Sequence, residues 1–112
     1  MHEYPITQHI ISVASEYAKK YGGTEVKVIH LVVGETSGYV SSSIELYFDI
    51  IAKGSLCEKA KLDIKRIAPK LKCNQCGELF VRKPFTFECP LCGGEGSPTE
   101  IGKEFYIKSI EI

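Results

Sequence analysis

Two groups of residues in this chain have the types and spacing that metal chemistry needs. Cys73-Asn74-Gln75-Cys76-Gly77 and Cys89-Pro90-Leu91-Cys92-Gly93 are matching knuckles, with 12 residues between Cys76 and Cys89. Two cysteines three apart in a tight turn can put both sulfurs on one ion, and the glycine after each pair can take the positive φ that such a turn demands. Together the knuckles make a closed tetrahedral site of four thiolates, with no open position for water or substrate. Structural Zn(II) is the expected occupant. The competing readings are two disulfides, a CxxC redox pair, and iron in a rubredoxin-like site. Disulfides conflict with a reducing compartment, and a redox pair needs only one CxxC, preceded by a strand and opening a helix. Iron stays open, because four thiolates accept it too.

The second group is the chain start, Met1-His2-Glu3. A bulky residue at position 2 prevents removal of the initiator methionine, so the free amine is expected on Met1. That amine, the backbone nitrogen of His2 and the His2 imidazole can close fused five- and six-membered chelate rings. The Glu3 backbone nitrogen would complete a near-planar set of four nitrogens, which suits Ni(II) or Cu(II) and does not suit zinc, calcium or magnesium. Taken alone the pattern is weak, since most histidines at position 2 are incidental.

The elements that must position these groups follow from periodicity. Ile6, Ile10, Val13, Tyr17 and Tyr21, with Ala14 and Ala18 beside them, form one apolar helical stripe. Pro5 suits its start, Lys19 and Lys20 its last turn, and Gly22-Gly23 its stop. The β-branched run from Glu25 to Val33 reads as a strand. After the polar loop Gly34-Glu35-Thr36-Ser37-Gly38, Ser42 to Glu45 has the form of a capping box before a second apolar stripe of Ile44, Tyr47, Phe48 and Ile51. Strands are expected again from Leu62 to Ile67 and, with imperfect alternation, from Glu104 to Ile112. The fold class is therefore α+β: two helices packed on a three-stranded sheet, with a four-cysteine, zinc-ribbon-like insertion before the last strand. The expected division is residues 1–69 plus 100–112 for the α+β domain and 70–99 for the insert. So small an insert cannot bury a sizeable core, and metal binding would supply roughly 10–16 kcal/mol of its folding free energy.

The 112 residues carry 14 basic and 14 acidic side chains, a formal net charge of zero. Nucleic-acid binding draws largely on phosphate neutralisation, so this balance argues against it and against a charged membrane surface. The chain start has neither the basic nor the apolar region of a signal peptide, and no run of apolar residues is long enough to span a bilayer. A cytoplasmic location is expected, and five cysteines fit four ligands plus a spare better than a disulfide framework.

Met1-His2-Glu3 opening a helix, the Gly34–Gly38 loop, Phe48 to Gly54, the two knuckles and the closing Tyr106 to Ile112, in that order, resemble the HypA family across essentially the whole chain. The resemblance implies a nickel metallochaperone, not an enzyme. It would accept Ni(II) and pass it, with the GTPase HypB, to the NiFe-hydrogenase large-subunit precursor; relatives in some bacteria also serve urease. Family nickel binding maps onto the Met1 amine, His2 and the Glu3 backbone, and family zinc binding onto Cys73, Cys76, Cys89 and Cys92. Relatives with extra histidines beside the knuckles have further ligands, but this chain has no histidine after His30. The alternative is a zinc-ribbon adaptor for protein or RNA, with His2 incidental. An enzyme using Cys57 or the zinc ranks last, since a closed site admits no substrate. His9 reads as a helix-flank residue, His30 as a packed, hydrogen-bonded histidine, and Cys57 as an incidental thiol. The Glu3 carboxylate, near the positive end of a helix, could steer a metal or contact a partner.

Overall fold

The computed structural model describes residues 3–112. Helix α1 (Glu3–Lys20) is followed by β1 (Val28–Gly34), α2 (Ser41–Ile51) and β2 (Lys61–Ile67). Three short strands come next, β3 (Lys70–Cys73), β4 (Leu79–Val81) and β5 (Gly96–Pro98), before β6 (Phe105–Glu111). The strands form two separate sheets, ordered β2-β1-β6 and β4-β3-β5. The expected α+β layer is present, and the last strand returns to it.

In the first sheet β1 and β2 run parallel, in register from Val28↔Lys61 to Gly34↔Ile67, with α2 as the crossover. β6 lies antiparallel on the other side of β1. Ile29, Leu31 and Val33 of β1, Leu62 and Ile64 of β2, and Phe105, Ile107 and Ile110 of β6 pack against both helices in one cluster. The imperfect alternation of β6 has a physical cause. Ser109 stands opposite His30 and Ile107 opposite Leu31, so Lys108 is the extra residue of a bulge. The bulge turns Ile107 and Ile110, three apart, toward the same core.

Two local expectations are corrected. The buried residues of α1 are Thr7, Ile10, Ile11, Ala14 and Ala18, whereas Tyr17 and Tyr21 are 51% and 66% exposed. Small side chains at 14 and 18 let the helix approach its neighbours closely, and that fit outweighs the larger apolar area of the tyrosines. The capping box at Ser42 and Glu45 does not cap α2. The helix begins at Ser41, and the cap position falls on Val40, two residues before Ser42, with no side-chain cap; the Val40 N–H instead donates to Glu3 Oε2 at 3.2 Å.

The second sheet has a small core of Leu71, Cys73, Phe80 and Cys89. Its chain leaves and re-enters the first body at a crowded neck. A Cβ on Gly34 would stand 2.0 Å from the Gly102 carbonyl oxygen, and one on Gly102, at φ +103°, 2.6 Å from Pro69 Cα. Thr36 donates to that same Gly102 oxygen from its N–H and its hydroxyl, each at 2.8 Å. Only glycine lets the two backbones meet this closely. Among the described residues no helix is long and apolar enough to cross a membrane.

Candidate metal centre

Cys73 ends β3, and the chain then turns on itself: the Gly77 N–H donates to Cys73 O at 3.1 Å. The second knuckle repeats the turn, with the Gly93 N–H donating to Cys89 O at 2.9 Å, and both glycines sit at φ +76°. The N–H groups of Gln75 and Cys76 each point at Cys73 Sγ, at 3.4 Å. The Asn74 N–H donates to Glu95 O at 2.9 Å, which ties the first knuckle to the chain beyond the second.

These turns bring the sulfurs of Cys73, Cys76, Cys89 and Cys92 within 4.8 Å of one another. Cys73 Sγ lies 3.4 Å from Cys92 Sγ, and Cys76 Sγ 3.8 Å from Cys89 Sγ. A tetrahedral ion with metal–sulfur bonds of about 2.3 Å sets its sulfurs roughly 3.8 Å apart, so the cluster fits such an ion. All four cysteines are free thiols, with two buried and two exposed, so the disulfide reading finds no support in the geometry. The Cys76 N–H, together with that of Gln75, holds the Cys73 thiol down to about 6. The Glu78 N–H favours a thiolate at Cys76 too, but desolvation and the three neighbouring sulfurs outweigh it and push that thiol up.

Met1 and His2, the expected nickel residues, lie outside the described residues. Glu3 is the first residue of α1, and its carboxylate accepts the Val40 N–H at the entry to α2. The Thr7 hydroxyl donates to the Glu3 carbonyl. The start of α1 is thereby anchored at the strand-to-helix loop, a role that sequence spacing could not reveal because the partners are 37 residues apart.

The remaining candidates lie elsewhere. His9 is exposed on α1. His30 stands on the open face of the first sheet, its Nδ1 2.8 Å from Asp63 Oδ2 and its Nε2 2.5 Å from Glu111 Oε2. The Glu111 carboxylate, followed by that of Asp63, raises its pKa. Sequence reasoning found the hydrogen-bonded histidine but not its two carboxylates, which come from different strands. Cys57 is buried near Ser15 Oγ and the Ile11 carbonyl; burial pushes its thiol up, so it packs as an apolar group.

A model of the family described as "Hydrogenase/urease nickel incorporation, metallochaperone, hypA" matches residues 1–112. The hydrogenase maturation factor HypA of Caldanaerobacter subterraneus subsp. tengcongensis is 42% identical over 113 residues, covering 100% of this chain and 99% of that protein. Its counterpart from Nostoc sp. is 40% identical over 113 residues, covering 100% and 96%. Among solved structures, a solution structure of HypA protein superposes with a TM-score of 0.70 at 27% identity, covering 100% of this chain and 96% of the other. The solution structure of the Ni metallochaperone HypA from Helicobacter pylori gives 0.64 at 26% identity, covering 98% and 96%.

Proposed function

The chain belongs to the HypA family, and on that premise we propose that it is a nickel metallochaperone and not a catalyst. It binds Ni(II) through the Met1 amine, the His2 imidazole and the backbone nitrogens of His2 and Glu3. It delivers the metal in the cytoplasm during NiFe-hydrogenase maturation, with a HypB-type GTPase and the large-subunit precursor as partners. The observation that carries this reading is the family match from residue 1 to residue 112, which takes in the chelating terminus as well as the knuckles.

The two metals have different tasks. Zn(II) held by Cys73, Cys76, Cys89 and Cys92 would fold the unit spanning residues 70–99, and four thiolates leave it no site for substrate. Ni(II) is cargo. A terminus with one side-chain ligand and several backbone nitrogens can select a metal by geometry and still release it. The Glu3 carboxylate accepts the Val40 N–H, which fixes the first residue of α1 against the loop before α2. Both the amine and the imidazole must lose protons to bind, at unperturbed values of about 7.7–8.0 and 6.5, so acid should weaken nickel binding.

Calorimetric titration of untagged, zinc-loaded protein with Ni(II), beside His2→Ala, tests the proposal. The wild type should take up about one nickel at micromolar affinity or tighter, and the variant should not. Equal binding by both, or by neither, would leave the zinc-ribbon adaptor as the better reading.

A further inference from the structure

The metal reading leaves one side of the first body without a task. In the order β2-β1-β6, β6 has a free edge among the described residues. Lys27 N–H donates to Glu111 O and Gly34 N–H to Glu104 O, so the alternate residues near either end, Ile110 and Phe105, turn their backbone groups outward. Beside this edge runs a groove of about 350 Å³ between α1 and β6, walled by Val13, Ala14, Tyr17, Ile107, Lys108 and Ile110. A separate hollow on the helix surface is lined by Val13, Glu16, Tyr17 and Lys20. The groove exists because α1 seats itself on Ala14 and Ala18, which leaves Tyr17 half exposed as a wall.

An edge strand of seven residues with a helix-walled apolar trough is the arrangement that accepts an added strand. Backbone groups supply the pairing and the trough takes alternate side chains. The charge at the edge selects the occupant. Lys108, bulged at the centre of β6, is exposed and has no ion pair among the described residues. A second copy paired about a two-fold axis would set Lys108 against itself, which disfavours self-association. We propose that the α1–β6 groove docks an extended segment of a partner protein, apolar at alternate positions and acidic opposite Lys108, as a fourth strand of the sheet. The proposal does not depend on which metals the chain carries.

The test is an amide NMR titration of the full, untagged, zinc-loaded chain with a capped heptapeptide that alternates valine and glutamate. Shifts confined to β6 and residues 13–20 are expected, with saturation by about 1 mM peptide. Methylating the peptide's backbone nitrogens on its pairing edge should abolish them, and Lys108→Glu should weaken binding about fivefold, the scale of one exposed ion pair. A valine–lysine peptide should bind less well to the wild type and regain affinity with Lys108→Glu. No shift at that concentration, shifts elsewhere, indifference to N-methylation or equal binding of both peptides would overturn the proposal. Sedimentation showing self-association through β6 would overturn it as well, in favour of a second copy.

Discussion

The two sheets have the same number of strands but are held together by different physics. The first buries twelve apolar or thiol side chains in one cluster, from Ile10 and Ala14 on α1 to Phe48 on α2 and Ile29 on β1. The second buries four, and two of those, Cys73 and Cys89, belong to the four-cysteine cluster. Of its three phenylalanines only Phe80 is buried, while Phe85 is fully exposed and Phe87 half exposed. At about 25 cal/mol per Å² of apolar surface, the first body can offset its chain entropy by packing alone, and the second cannot. Size therefore decides the staple: a body too small for a core recruits an ion.

Removing the metal should separate the two bodies most sharply. A strong chelator, or Cys73→Ser, forfeits roughly 10–16 kcal/mol of metal-coupled folding. The amide resonances of β3 to β5 should collapse toward unfolded positions while those of β1, β2 and β6 keep their dispersion. Simultaneous collapse of both sets would mean that the neck makes them one cooperative unit. The reciprocal perturbation is smaller. Phe48→Ala, which empties a buried position of the first cluster, should cost about 3–5 kcal/mol. Chemical denaturation followed by amide resonances should show the first body melting early and the thiolate cluster keeping its metal, readable as cobalt–thiolate absorbance after metal exchange.

What could be read from the sequence divides along the same line. The knuckles were legible because their geometry is local: Cys-x-x-Cys-Gly fixes its own turn, and the twin spacing names the ligand number. The three long strands and both helices were legible from periodicity. The strands of the second sheet were not, because they have three or four residues each and include lysine, glycine and proline. The α1 stripe came out rotated because Ala14 and Ala18 weigh little by hydrophobicity but decide how closely the helix seats. Gly34 and Gly102 read as ordinary loop residues, since the contact between them joins backbones 68 positions apart. The Glu3–Val40 bond is hidden for the same reason.

The smallest expected effect belongs to the first body alone. His30 ties all three of its strands through Asp63 of β2 and Glu111 of β6, and both carboxylates raise its pKa above the ordinary 6.5. A raised pKa means that the folded state binds the proton more tightly than the unfolded chain does. The stabilisation is thus fully present below about pH 6.5 and fades as pH rises through the folded value. Urea midpoints of zinc-loaded protein, measured from about pH 6 upward, should fall for the wild type across that window. His30→Gln, which keeps a polar side chain but cannot titrate, should flatten the decline. The histidine is half exposed, so solvent screens the pair and the slope should be shallow. Equal slopes in the two proteins would show that the strand clamp contributes nothing, and that apolar packing alone holds β6 to the sheet.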